Sequence, residues 1–451
     1  MKLALIALAV GLTAFGAEKE KDQDKKEEEK SDSERLDSLE DKVKELEAAL
    51  RRAEESLRAA QPVHVSGYAD LGFFMPRGNG GAGVVEDFAN ATFPQYQGRY
   101  GWVFLGDLLA PVVNSRGEAA DLGELPGVQR YDSVHSRGAP GFIANEINVT
   151  LSAGLSEQLL ATTSVNFVPR SGNDFSLGDA FDVDIAQLEW IPFVNGKTSF
   201  FVGKFDPVIG IEYRDRKPAS RFGVTPSLIA RYTMGTPLGI KARTKLFPGD
   251  LLTIAAAVTN GSSGQEQFHF YDEVDTNAGK TVSGRVSLKL QLPAPGGRAL
   301  GELELGASGE YGAQDRALDS SGILWFIGGD LLFTSSSGRV QVKAQVLRGM
   351  GEGRAVDQVY GLHLGSGGYL EADVKVTPMI GVLGRGEWRD AFVWLSDERA
   401  YVTKSWRGTL GARVTFNSHV TLKAEYLLNG EYYAGPQIPN DVFTSSLLLS
   451  Y

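Results

Sequence analysis

From Val63 to Tyr451 the chain alternates apolar and polar residues in short segments, the period-two pattern of β-strands. Thr281 to Leu292 is the clearest case. Val282, Gly284, Val286, Leu288, Leu290 and Leu292 fall on one side, and Ser283, Arg285, Ser287, Lys289 and Gln291 on the other. Val340, Val342, Ala344 and Val346 oppose Gln341, Lys343 and Gln345; Leu370, Ala372 and Val374 oppose Glu371, Asp373 and Lys375. Trp406, Gly408, Leu410, Ala412 and Val414 oppose Arg407, Thr409 and Arg413, while Val420, Leu422 and Ala424 oppose Thr421, Lys423 and Glu425. The closing segment DVFTSSLLLSY puts Phe443, Leu447, Leu449 and Tyr451 on one side and ends on the aromatic.

A soluble sandwich also alternates, so alternation alone does not separate it from a membrane barrel. Three features favour the barrel. The segments run about 9 to 12 residues, the length of a tilted membrane strand. Their polar sides carry charges of both signs, as a watery lumen would. Long connections such as Pro76 to Gly98 and Asn260 to Gly279 alternate with tight ones such as Phe247 to Asp250 and Phe416 to His419. Trp190, Trp325, Trp388, Trp394, Trp406, Tyr432 and Tyr433 stand near segment ends, the expected place of an interfacial girdle. The fold predicted is all-β: a transmembrane antiparallel β-barrel over residues 63–451. At about 22 to 25 residues per strand with its loop, this gives 16 to 18 strands. Phe222 to Tyr232 reads equally as a strand or as a loop folded into the lumen.

The pattern changes before Val63. Residues 1–17 read as a signal peptide, with Lys2, an apolar stretch from Leu3 to Leu12, and small residues for cleavage after Gly16 or Ala17. Residues 18–35 form a charged linker that buries nothing. Within residues 36–61, Leu36, Leu39, Val43, Leu46, Leu50, Ala53, Leu57 and Ala60 recur in a heptad register. That predicts a short N-terminal coiled-coil helix in the periplasm, self-associating as a dimer or trimer and ending at Pro62.

The 451 residues include no Cys, which removes disulfides and Cys-ligated metals. A net charge of −11 argues against nucleic acid as a partner. Residues 1–62 hold 12 basic and 16 acidic residues, leaving 33 and 40 for the barrel, so its total charge of −7 does not predict anion selectivity. The five His are scattered without metal-ligand spacing, and no catalytic set stands out; no cofactor, metal or enzyme activity is expected. Gly78 to Gly83 matches GxGxxG but lacks the following helix that phosphate binding needs.

The chemistry on offer is charge in the lumen. Lys204, Arg214, Arg216, Lys217, Arg221, Arg231, Lys241 and Arg243 form the densest basic run, interleaved with Asp206, Glu212 and Asp215. A ring of such cations would favour anions, whereas a solvated loop with balanced charges would not. Arg285, Lys289, Arg385, Glu387, Arg407, Arg413, Lys423 and Glu425 lie on polar strand faces and are assigned to the interior, because a charge against lipid costs about 2–4 kcal/mol at the midplane.

The stretch FVGKFDPVIGIEY at Phe201 to Tyr213, followed by SLIARYTMGTPLG at Ser227 to Gly239, resembles the centre of the OmpL-like bacterial outer-membrane porins. Arg385-Gly-Glu-Trp388 resembles a strand of the same family, with Gly386 where the family carries an aromatic, and the closing segment agrees. The resemblance implies a homotrimer in the outer membrane that passes small hydrophilic solutes and ions by passive diffusion. Two other functions stay open: a substrate-specific channel for phosphate or another anion, and a tether from the outer membrane to the cell wall through the coiled coil.

Overall fold

The computed structural model describes residues 63–76, 84–85, 101–102, 141–167, 181–193, 195–261, 279–294, 299–313, 323–355, 358–395, 398–432 and 441–451. The signal peptide, linker and coiled coil expected over residues 1–62 lie outside them.

Sixteen antiparallel strands close into a barrel. They are β1 Val63–Pro76, β2 Gly141–Ser156, β3 Leu159–Phe167, β4 Phe181–Trp190, β5 Thr198–Lys204, β6 Leu238–Leu246, β7 Leu252–Thr259 and β8 Thr281–Pro293. The ring continues with β9 Ala299–Ala313, β10 Ile323–Ser335, β11 Val340–Ala355, β12 Gln358–Lys375, β13 Ile380–Leu395, β14 Glu398–Thr415, β15 Val420–Glu431 and β16 Val442–Ser450. Each strand pairs with its chain neighbours, and β16 pairs with β1 over Tyr68↔Ser450 to Pro76↔Val442. Closure leaves the ring without an edge. At the seam, Gly67 and Tyr451 exchange backbone hydrogen bonds of 3.3 and 3.1 Å. A Cβ on Gly67 would run into the backbone carbonyl of Asn148 and the ring of Tyr451, so the seam needs glycine there. Of the 16 to 18 strands expected, 16 form.

The sidedness is inverted relative to a soluble protein. In β8, Ser283, Arg285 and Ser287 are buried, while Val282, Val286 and Leu288 are 55%, 47% and 44% exposed. Apolar side chains on the outer surface and charges inside are stable only where the outside is lipid and the inside polar. The expected faces of β11 to β16 follow the same rule: Lys343, Glu371, Asp373, Arg385, Glu387, Arg407, Lys423 and Glu425 are buried, and Leu370, Val382, Leu410 and Leu422 are exposed.

From β1 to β10 the connections alternate in length, whereas only two residues separate β11 from β12 and β13 from β14. One end of the barrel carries only tight turns, among them Phe247 to Leu251, where Phe247 and Gly249 take positive φ of 66° and 70°. The other end carries the long ones, including residues 77–140, 205–237 and 262–278. Strand lengths differ more than the sequence suggests. β5 has seven residues, and β12 and β14 have 18 each. About 9–11 tilted residues cross a bilayer, so β11 to β14 overrun it at the long-loop end. This accounts for two girdle residues. Trp388 and Trp406 pair directly and lie mid-strand, facing outward, rather than at the strand ends.

Phe222 to Tyr232 is not a strand. Residues 205–237, between β5 and β6, fold inward with two short 3-10 turns, Glu212–Asp215 and Ala230–Tyr232. Their core residues Phe205, Ile209, Val224, Leu228, Ile229 and Met234 are fully buried. Ile229 lies against Gly367 of β12, and Tyr232 stacks on Phe326 of β10 with ring centroids 5.8 Å apart.

Candidate functional site

The inward segment crosses the bore, and polar groups of the wall hold it. Near its start, Gly210 N–H donates to Ser308 Oγ at 2.9 Å, and Ile211 N–H to Gln345 Oε1 at 2.9 Å. Gly210 has φ +68°, a conformation that favours glycine, and a Cβ there would meet the Gln345 amide at 2.5 Å. Arg214 forks onto Glu304 of β9 at 2.9 and 2.8 Å, the bidentate geometry that makes such pairs strong. Arg216 pairs with Asp184 of β4 and with Asp206 at 3.0 Å. Burial works against charge on both arginines, but the carboxylates outweigh it and hold each guanidinium above its ordinary value. Lys217 donates to Ser164 at 2.8 Å and lies 3.4 Å from Asp184.

Deeper in, Lys423 of β15 donates to three segment carbonyls, Pro218 at 2.6 Å, Arg221 at 2.5 Å and Gly223 at 3.1 Å. One residue pair along β15, Glu425 accepts from Val224 N at 2.7 Å, Thr225 N at 2.9 Å and Thr225 Oγ1 at 2.6 Å. Arg385 of β13 donates to Thr225 O, Thr225 Oγ1 and Pro226 O at 2.9, 2.8 and 3.1 Å, and reaches Glu371 at 3.0 Å and Glu387 at 2.7 Å. Glu387 accepts from Leu228 N at 2.6 Å. Within the segment, Ser227 donates both its N–H and its hydroxyl to Glu212 at 2.7 and 2.6 Å. Burial raises the Glu212 carboxyl; the Ser227 donors and Arg385 oppose the rise, and the charge of Glu387 adds to it.

The expected basic run therefore has its partners. Arg221 spends its donors on the carbonyls of Asp215, Arg216 and Val224 at 3.1, 2.7 and 2.9 Å. Lys241 donates to Asp206 O at 2.7 Å with the rings of Phe201 and Phe205 at 4.6 and 4.7 Å. Arg243 lies 3.5 Å from Glu189. Lys204 ends β5, half-buried, and Arg231 lies in the second 3-10 turn with its side chain outside the described residues. On the strand faces, Arg285 bridges Asp330 and Glu304 at 2.5 and 2.9 Å, and Lys289 meets Glu302 at 2.7 Å. Arg413 donates to Thr415 at 3.2 Å and lies 5.8 Å from the ring of Phe222.

Asp184, Glu304 and Asp330 escaped the sequence reading, and Lys343 and Gln345, read as polar-face residues, were not singled out as partners. Lys343 gathers Glu371, Asp215 at 2.8 Å and Asp373 at 3.3 Å. Their signal was present for Glu304, which alternates with Leu303 and Leu305, and for Lys343, Glu371 and Asp373 on polar strand faces. Nothing local marks which of them meets the segment.

No protein-family model matches the chain, and no curated protein sequence matches it. The barrel is similar to solved outer-membrane structures. The outer membrane channel DcaP of Acinetobacter baumannii aligns over 86% of this chain and 97% of its own at 10% identity, TM-score 0.48. An anion-selective porin from Comamonas acidovorans aligns over 86% and 99% at 11% identity, TM-score 0.47. OprB of Pseudomonas putida aligns over 88% and 95% at 8% identity, TM-score 0.49.

Proposed function

We propose that the chain is an outer-membrane porin: a water-filled channel through which small hydrophilic solutes and ions diffuse passively. The observation that carries this reading is the inverted sidedness of a closed ring, charges within and apolar side chains without. The inward segment makes the channel narrow. It is bonded to wall strands on opposite sides of the bore, so only small solutes fit past it. The residues at Phe201 to Gly239 support placing the chain beside the OmpL-like porins. The heptads at residues 36–61 support a periplasmic coiled coil and a homotrimer.

Purified protein in a planar bilayer tests this. Stepwise ion conductance is expected, well below that of an unobstructed barrel of this strand number. A barrel that inserts and never conducts would overturn the channel and favour a structural anchor joined to the cell wall by the coiled coil.

A further inference from the structure

The tall side of the barrel carries a lone cation on its outer face. Arg348 of β11 stands opposite Ile327 of β10, which is 61% exposed, so both point away from the bore. The residues before it agree, since Val346 is exposed and Leu347 buried. Arg348 is itself exposed and has no hydrogen-bond or ion-pair partner among the described residues. The ladder between β11 and β12 shifts register here, between Leu347 and Gly349. Leu347 pairs with Gly367, which sets Arg348 beside Ser366, also exposed.

The same row continues across the next strands. Ser366 pairs with Asp390 of β13, and Asp390 with Lys404 of β14. The Lys404 ammonium lies 3.5 Å from the Asp390 carboxylate. That carboxylate is thus engaged, and it stands two strands from Arg348, about 10 Å away. Every outward position below the row is uncharged, from Val346 to Val340 on β11 and from Trp388 to Ile380 on β13. Counted from the tight-turn end, Arg348 is the ninth residue of β11 and Asp390 the eleventh of β13. A tilted strand crosses a bilayer in about 9–11 residues, so the row lies where hydrocarbon gives way to headgroups. One outward step below Ser366 is Gly368, and the Trp388 indole lies over it: a Cβ on Gly368 would meet that ring at 2.5 Å. An aromatic face therefore lines the wall just beneath Arg348 and Ser366, at the depth where such rings sit in membranes.

We infer that Arg348 and Ser366 bind the phosphate of an anionic lipid in the leaflet at the long-loop end, with its acyl chains along Trp388. The guanidinium fork matches two phosphate oxygens, and the Ser366 hydroxyl donates to a third. A cation facing outward at headgroup depth is cheap because phosphate lies within its reach. Charge favours this occupant over a second copy of the chain, because an apolar protein wall laid here would bury the cation without a partner. The site rests on the membrane barrel and not on conduction.

The probes are phosphatidic acid and phosphatidylcholine with brominated acyl chains, each mixed into phosphatidylcholine vesicles that hold the full chain. Bromine quenches nearby tryptophan, and the difference between the native protein and Trp388→Phe isolates the emission of Trp388. Brominated phosphatidic acid is expected to quench that emission about fivefold more effectively per lipid than brominated phosphatidylcholine, the worth of one basic residue at a membrane surface. Arg348→Gln should bring the ratio close to one. Arg348→Lys, which keeps the charge and loses the fork, should fall between, and Ser366→Ala should lower the ratio less than Arg348→Gln. A heat-modifiable gel shift certifies that each variant has folded; where Arg348→Gln does not fold, the other two carry the comparison. A native ratio near one, or a ratio that no folded variant lowers, overturns the site and leaves the barrel and the channel standing. Absence of Trp388 quenching by either lipid means that protein covers this wall, and overturns the site as well. A chain that never inserts into vesicles overturns the membrane barrel and the site with it.

Discussion

Asp215 and Arg216 are adjacent in the chain, yet they bond to walls seven places apart in a ring of sixteen. Asp215 accepts from Lys343 of β11 at 2.8 Å, and Arg216 donates to Asp184 of β4. Two neighbouring side chains reach both walls only where the bore is narrow and its centre filled by backbone. The inward segment is therefore a strut as well as an obstruction. It ties β4 to β11 through charges that would otherwise face each other across water. Each pair sits in a wider network, since Lys343 also meets Glu371 and Asp373 and Arg216 also meets Asp206.

The sidedness of β8 makes a sharp pair of substitutions. Val286 faces outward and Ser287 inward. Val286→Arg is expected to destabilise the folded barrel by about 2–4 kcal/mol, the cost of a cation in the lipid face near the midplane. Ser287→Lys, one residue on, should cost far less. Urea unfolding in lipid vesicles measures both. Equal costs would mean that the outer face of β8 does not meet lipid.

The barrel was legible in the sequence because alternation is local. Val282 to Leu292 declares its two faces without any other part of the chain, and the same holds for β12 and for Phe443 to Tyr451. The apolar closing strand also pointed to the seam, since pairing the last strand with the first leaves no edge. The inward segment was not legible in that way. Residues 205–237 have no period of two or 3.6, and the partners that hold them are far off in sequence: Glu425 lies 200 residues from Thr225. A run of cations from Arg214 to Arg221 therefore read either as a charged ring or as a solvated loop with balanced charges. Asp184 and Glu304, which neutralise it, stand on strands whose approach depends on the whole ring closing. Trp388 and Trp406 misled for a related reason. Strand ends mark the membrane surface only where strands stop there, and β13 and β14 continue beyond it.

Gly210 is a position where backbone and packing agree. With φ +68° and Gln345 at 2.5 Å from any added Cβ, Gly210→Ala meets both conformational strain and a clash. The bonds from Ile211 and Glu212 to Gln345 would be displaced with it. A loss of about 1–3 kcal/mol is expected, read as a lower unfolding temperature with the barrel still heat-modifiable. A variant as stable as the native protein would show that this end of the segment is held elsewhere.

Glu212 links the segment to pH. Its carboxyl is raised by burial above the ordinary glutamate value. A raised acid destabilises the folded state when ionised and ceases to do so once protonated. Stability contributed at this residue therefore grows as pH falls through the raised value and levels off below the unfolded one. Glu212→Gln has no such dependence. The unfolding temperature of the native protein relative to this variant should rise as pH falls through the raised value toward the ordinary glutamate range. A constant difference would mean that the Ser227 donors keep the carboxylate charged throughout.

Lys423 is the anchor whose removal should be felt in conduction. Its ammonium sits among the carbonyls of Pro218, Arg221 and Gly223, 1% exposed, and draws together a turn that has no strand to lie against. Lys423→Met fills nearly the same volume and removes all three donors. The carbonyls then need water, and water can reach them only if residues 218–223 lift from the wall. Glu425 and Arg385 still hold Thr225 and Pro226, so the segment as a whole stays in the bore. The expected result is a folded barrel with a higher single-channel conductance and more open-channel noise, because the freed turn fluctuates in the conducting path. Lys423→Arg, whose donors can still reach two of the carbonyls, should lie close to the native protein. A Met variant with native conductance and noise would show that this turn lies out of the path, and that the constriction is formed by the struts at Arg214 and Arg216.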